Sequence, residues 1–178
     1  MINIYLSMLD TDEDKHSFEE LYYKYRQLMY SVAYKILNNK EDSEDAVQKA
    51  FLAIANNFGK IKSLSCQEIK PFVVIIVRNH AINIYNSNKR KAEYAAEYSD
   101  IDTPVNVDYF EEFDYEELIK VISGLQPIYR DIIFLHYIRE LKPKEIAKLL
   151  DISVETVWKR IERAKKQLKK ALDERSWF

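Results

Sequence analysis

Thr156, Trp158, Lys159, Arg160, Glu162, Arg163 and Lys166 crowd a short stretch near the end of the chain. Cations of this kind neutralise phosphates, and the polar and aromatic groups among them can meet base edges. The mixture therefore suits contact with DNA. A solvated surface helix can carry the same charges, so charge and spacing alone leave the two readings level. A second polar set, Asn79, Asn83, Asn86, Ser87 and Arg90, falls on one stripe at helical spacing. Catalytic sets are missing from the pattern: there is no Gly-rich phosphate loop, no HExxH and no CxxC. His16, His80 and His136 lie far apart and make no metal cluster with Cys66. The expectation is a non-enzyme with no metal and no cofactor.

Positioning the basic stretch requires a helix. Val154, Val157, Ile161, Ala164 and Leu168 recur in steps of three and four, one apolar stripe opposite the charges. From Val154 to Leu172 such a helix is about 28 Å long. Before it, Pro143 opens a short helix, Lys144 to Leu150, with Ile146, Ala147 and Leu150 inward. Asp151, Ile152 and Ser153 leave room only for a tight turn. Asp151 tolerates left-handed geometry, and the Ser153 hydroxyl can accept from the amide of Glu155 or Thr156. This is a helix-turn-helix. Trp158 follows the buried-stripe residue Val157, so it equally fits a half-buried edge or an exposed contact.

Upstream, Ser17-Phe-Glu-Glu20 has the form of a capping box. Phe18, Leu21, Tyr22, Tyr25, Leu28, Val32 and Ile36 then predict a helix ending near Asn38-Asn39. Asp42 or Ser43 would cap a second helix bearing Val47, Ala50, Phe51 and Ile54, closed by a left-handed Gly59. Lys60 to Lys70 reads as a loop. Pro71 would open a third helix running to about Lys91, because the pattern outlasts strand length. Ala92 to Glu117 carries ten acids and no Lys or Arg; Ala92 to Asp114 reads as an acidic flexible linker. Leu118, Ile122 and Leu125 begin a second apolar set, with a break at Gly124 and a helix opened by Pro127.

Composition agrees. Two glycines and four prolines in 178 residues are too few for a fold of many tight turns, so the class is all-α: two small helical domains joined by the linker. Residues 1–91, 92–114 and 115–178 are the predicted first domain, linker and second domain. The lone Cys66 permits no internal disulfide and fits a reducing compartment. The start, MINIYLSMLDTDEDK, is a poor signal peptide for want of a basic n-region, and the longest apolar run, Phe72 to Val77, is too short to insert in a membrane. A cytoplasmic protein is expected. Net charge is only -2, yet Lys159 to Lys170 holds seven basic residues and one acid.

"LQPIYRDIIFLHYIRELKPKEIAKLLDISVETVWKRIERAKKQLKKAL" resembles region 4 of the sigma-70 family of bacterial RNA polymerase sigma factors, in the extracytoplasmic-function type. Leu125, Pro127, Arg130, Glu145 to Ala147, Thr156-Val157 and Arg163-Ala164 carry the likeness. "FEELYYKYRQLMYSVAYKIL" and "DSEDAVQKAFLAI" resemble regions 2.1 and 2.2, with Asp45, Gln48 and Phe51 in the D-x-x-Q-x-x-F order. "FVVIIVRNHAINIYNSNKRK" resembles regions 2.3 and 2.4, including the Arg78-Asn79 pair.

The resemblance implies an alternative sigma factor that binds core RNA polymerase and directs promoter-specific initiation. Asp45, Gln48, Lys49 and Leu52 would face the polymerase. Arg78, Asn79, Asn83, Lys89 and Arg90 would hold the melted minus-10 strand, since Asn reads exposed base edges and Arg or Lys holds phosphates. Asn79 and Asn83 also suit capping or inter-helix hydrogen bonds. The loop from Phe58 to Pro71 is a candidate wall for a flipped base. Region 4 would read the minus-35 duplex in the major groove with Thr156, Trp158, Lys159, Arg160, Glu162, Arg163 and Lys166. Glu162 departs from the family pattern; it can accept from cytosine N4 or form a plain pair with Lys166. Promoter DNA and core polymerase are the implied partners, and an anti-sigma factor belongs to the same expectation. The competing reading is a helix-turn-helix regulator that works without the polymerase.

Overall fold

The structure is a computed structural model, and it describes residues Ile2–Ala92 and Glu116–Arg175. All regular elements among these residues are helical. Two compact units result, one built on α1–α5 together with Leu149–Asp151 and one built on α6, α7, α9 and the rest of α8. The linker expected at 92–114 lies, beyond Ala92, outside the described residues.

The first unit opens with α1 (Ile2–Leu6) and the long α2 (Asp12–Leu37). Helix α2 begins at Asp12, earlier than the Ser17 capping box predicts. Thr11 is its N-cap, its hydroxyl accepting from the Asp14 amide at 3.1 Å. Three acids, Asp12, Glu13 and Asp14, then meet the positive end of the helix dipole. A Thr-Asp-Glu-Asp start out-competes the interior Ser17. At the other end Asn38 adopts a left-handed conformation, φ 46°, and its amide donates to the Tyr34 carbonyl, as the Asn38-Asn39 stop predicts. The interior of α2 is Phe18, Leu21, Tyr25, Met29, Val32 and Ala33; Met29 takes the interior place expected of Leu28, which is half-buried.

Asn39 caps α3 (Lys40–Asn56), its Oδ1 accepting from the Asp42 amide at 3.0 Å. Neither Asp42 nor Ser43 is the cap; both already lie in the helix. Rings from α1, α2 and α3 then converge. Tyr5 lies 5.8 Å from Phe18, 6.0 Å from Tyr22 and 5.9 Å from Phe51, with Tyr22 and Phe51 at 4.7 Å. Burial pushes the Tyr5 phenol above its ordinary pKa of 10.0.

The predicted left-handed Gly59 is absent: Gly59 sits within α4 (Phe58–Ile61), and no glycine among the described residues has positive φ. Phe58 and Ile61 are buried, so this one-turn helix is held by packing. The loop predicted over Lys60–Lys70 shrinks accordingly. Helix α5 (Cys66–Ala92) starts ahead of Pro71, which lies inside it. Its start is a reciprocal capping box. The Ser65 amide donates to Glu68 Oε2 at 2.8 Å and the Glu68 amide to Ser65 Oγ at 3.4 Å. From Pro71 to Ile82 every residue of α5 is buried, the mark of an all-round interior helix.

In the second unit α6 (Glu116–Ser123) ends at Gly124, and α7 (Pro127–Ile133) opens on Pro127 as predicted. A π-helical turn, Phe134–Ile138, continues α7. Glu140, at φ 52°, then turns the chain. Helix α8 (Pro143–Leu150) follows, and α9 (Val154–Arg175) closes the unit against α6 and α7.

Candidate nucleic-acid interface

Two local devices set the angle at which α9 leaves α8. Asp151 adopts the left-handed conformation, φ 53°, and the Ile152 amide donates to the Ala147 carbonyl at 3.0 Å. Ser153 Oγ accepts from the Thr156 amide at 3.0 Å and shares a second bond with Thr156 Oγ1 at 2.8 Å. Thr156 is thereby engaged in the cap. A similar device starts α8. Lys142 stands where a capping hydroxyl is usual, and its amide donates instead to Glu145 Oε2 at 2.9 Å. Half of a capping box survives without its serine.

Burial sorts the faces of α9 as the spacing predicts. Val157, Ile161 and Ala164 are buried; Val154 and Leu168 are half-buried. Trp158, Lys159, Glu162, Arg163 and Lys166 are exposed, while Thr156 and Arg160 are half-buried. Trp158 keeps 50% of its surface open, so it is no member of the buried stripe. Lys159 Nζ lies 2.7 Å from Glu155 Oε1. That hydrogen bond, with the Lys159 charge, holds Glu155 below its ordinary pKa of 4.5. Glu162 lies 3.8 Å from Lys165; the partner is Lys165, one position before the expected Lys166. Further along, Lys165, Lys166, Lys169 and Lys170 are all exposed. The helix therefore carries paired charges and an indole in its first turns and a cationic surface in its later ones. Base edges suit the first kind of surface and phosphates the second.

On α3, Asp45, Gln48, Lys49 and Leu52 follow one another at i, i+3, i+4 and i+7 and share a face. Asp45, Lys49 and Leu52 are exposed and Gln48 is half-buried. Lys49 Nζ meets Asp45 Oδ2 at 2.9 Å. Leu52, 37% exposed, sets an apolar side chain beside this pair.

Helix α5 distributes its polar stripe unevenly. Arg78 and Asn79 are buried, and Asn79 Nδ2 donates to the Ile75 carbonyl at 2.9 Å. Asn83 is half-buried. Its Nδ2 donates to the Leu150 and Asp151 carbonyls at 3.0 and 2.9 Å, which is the hydrogen-bonding alternative rather than an open base reader. Lys89 is half-buried and Arg90 is exposed. Asn88 Nδ2 reaches Asp42 Oδ2 on α3 at 2.9 Å. The stripe is thus deep at Arg78 and Asn79 and open toward its C-terminal end. Sequence reasoning missed the Ser65–Glu68 box, although Ser-x-x-Glu was there to be read. It also missed an ion pair between Lys62 and Asp14, 3.0 Å apart, which no local spacing signals. Among the described residues no group of three or more His, Cys, Asp or Glu could hold a metal, and no helix is long and apolar enough to cross a membrane.

Comparison with known proteins agrees with this two-part arrangement. The family model for sigma-70 region 2 matches residues 21–91, and that for sigma-70 region 4 matches residues 109–168. The chain is 28% identical over 173 residues to the ECF RNA polymerase sigma factor SigW of Bacillus subtilis, covering 89% of this chain and 90% of the relative. It is 24% identical over 155 residues to the ECF RNA polymerase sigma factor SigM of the same organism, covering 86% and 93%. Among solved structures it is similar to sigma factor RpoE from Bartonella quintana, crystallised with the anti-sigma factor NepR. There the identity is 16% and the TM-score 0.34, over 88% of this chain and 97% of that one.

Proposed function

The chain belongs to the sigma-70 family as an alternative sigma factor of the extracytoplasmic-function type that directs transcription initiation, and we propose how its two units divide that work. The first unit docks on core RNA polymerase through Asp45, Gln48, Lys49 and Leu52. It holds the melted minus-10 strand along α5, with Lys89 and Arg90 toward the nucleic acid. Arg78 and Asn79, buried, fix the helix that presents them. The second unit lays α9 in the major groove of the minus-35 element. Trp158, Lys159, Glu162 and Arg163 meet base edges, and Lys166 with the later lysines meets phosphates.

One observation carries the reading: region 2 and region 4 occur in that order in one chain. A regulator that acts without polymerase needs only the second. The partners on this reading are core RNA polymerase and promoter DNA, with an anti-sigma factor as the regulatory partner of the type. The protein works as a non-enzymatic subunit, in the cytoplasm where the polymerase works.

The test is in vitro transcription of a genomic promoter library by core polymerase with and without the protein. Start sites that depend on the added chain, sharing two spaced elements upstream, are expected. A library with no protein-dependent start sites would overturn the assignment.

A further inference from the structure

Resting on the assignment of α9 to the minus-35 groove, we infer that Trp158 reads the 5-methyl group of a thymine where a cationic fork would read guanine. The argument starts from position. Trp158 lies in the second turn after the Ser153 cap, where a recognition helix meets base edges. An exposed apolar side chain is ordinary on its own. What distinguishes this one is its surroundings.

Glu155 is three residues before Trp158 and Glu162 four residues after it, so the indole stands between two carboxylates on one helix face. Lys159 is drawn along the helix to Glu155 at 2.7 Å, and Lys165 lies 3.8 Å from Glu162. The exposed face around Trp158 is therefore apolar at its centre, with the nearest carboxylates already paired to lysines. Guanine offers two acceptors, O6 and N7, to the major groove and is ordinarily met by a cationic fork. The indole has a single donor, Nε1–H, and cannot make the forked contact that the two guanine acceptors invite. Thymine alone presents an apolar group in that groove, its methyl. The half of the Trp158 surface left open is the surface that such a methyl would cover.

The test isolates that methyl. On a promoter whose minus-35 element has been mapped, each thymine of the element is replaced singly by deoxyuridine. Binding and initiation are measured with holoenzyme reconstituted from the full chain. For the native chain, one replacement is expected to weaken promoter binding about fourfold, the worth of burying roughly one methyl group. With Trp158→Ala the same replacement should have no effect, whereas Trp158→Phe should retain part of the discrimination. Trp158→Arg should move the preference at that position toward guanine, with core-polymerase affinity unchanged in all three. A native holoenzyme indifferent to every thymine methyl overturns the inference, as does a Trp158→Ala variant that keeps the methyl sensitivity. Loss of all dependence on the minus-35 element has a different meaning, since it removes α9 from the groove altogether.

Discussion

Asp14 and Lys62, 48 positions apart in the chain, meet at 3.0 Å. The pair ties the segment between α4 and α5 to the first turn of α2. Asp14 is only 16% exposed whereas Lys62 is 50% exposed, so the contact sits at the stronger end of surface ion pairs. Lys62→Met should cost up to about 1 kcal/mol of stability and speed hydrogen exchange at residues 62–65. Exchange identical to the native protein would show that the segment holds itself. Because this segment borders the proposed minus-10 site, the same variant should blur base preference there while leaving core binding intact.

Ser153 offers a cleaner local probe. Its hydroxyl serves both the Thr156 amide and the Thr156 hydroxyl. Ser153→Ala should therefore lose about 1 kcal/mol, a fall of about 4–8 °C in Tm for a unit of this size. Ser153→Asp keeps an acceptor at the N-cap and should restore most of it. Equal melting of all three proteins would mean that the cap contributes nothing to α9.

Arg163 is exposed on α9, beyond the indole. Arg163→Ala should weaken minus-35-dependent initiation without changing affinity for core polymerase. If Arg163 neutralises a phosphate as well, the slope of log affinity against log salt should shrink by about 1. Promoter use unchanged in every respect would remove Arg163 from the reading face.

Leu52 is the apolar member of the α3 face. Leu52→Glu puts a charge where an apolar contact with the polymerase is proposed, and a roughly tenfold loss of core affinity is expected. The fold should survive, because the side chain is already partly in water. Undiminished core binding, measured by co-sedimentation or fluorescence anisotropy, would move the docking surface elsewhere.

Tyr5 makes a prediction about pH. Its phenol has a raised pKa in the folded protein because burial disfavours the phenolate. The folded state then holds its proton more tightly than the unfolded state. The associated stability is fully present below the ordinary value of 10.0 and is lost as pH rises above it. Ultraviolet titration should show a late phenolate step that Tyr5→Phe abolishes. A titration without that late step would contradict the burial argument.

The helix-turn-helix was legible because each of its devices is local. Asp151 and Ser153 stand within a few residues of the groups they serve, and the apolar steps of α9 need no distant information. The α7 start at Pro127 was legible for the same reason. Helix starts with two competing caps were not. Ser17 fits a capping box, but Thr11 has three acids behind it and wins. Gly59 looked like a stop because glycine permits left-handed geometry, whereas packing of Phe58 and Ile61 kept it helical. The depth of Arg78 and Asn79 was hidden more thoroughly. Helical spacing assigns a stripe, but how deeply a stripe is buried depends on tertiary packing.

Among the described residues, three other than glycine turn the backbone into left-handed space: Asn38, Glu140 and Asp151. Neither of the two glycines among the described residues does so. Glycine at these joints would relax the native backbone, but it would also multiply the conformations open to the denatured chain. A protein that bends at asparagine, glutamate and aspartate accepts a little tension in its folded form and begins folding from a narrower crowd of shapes. Its corners are therefore partly decided before any helix has met its neighbour.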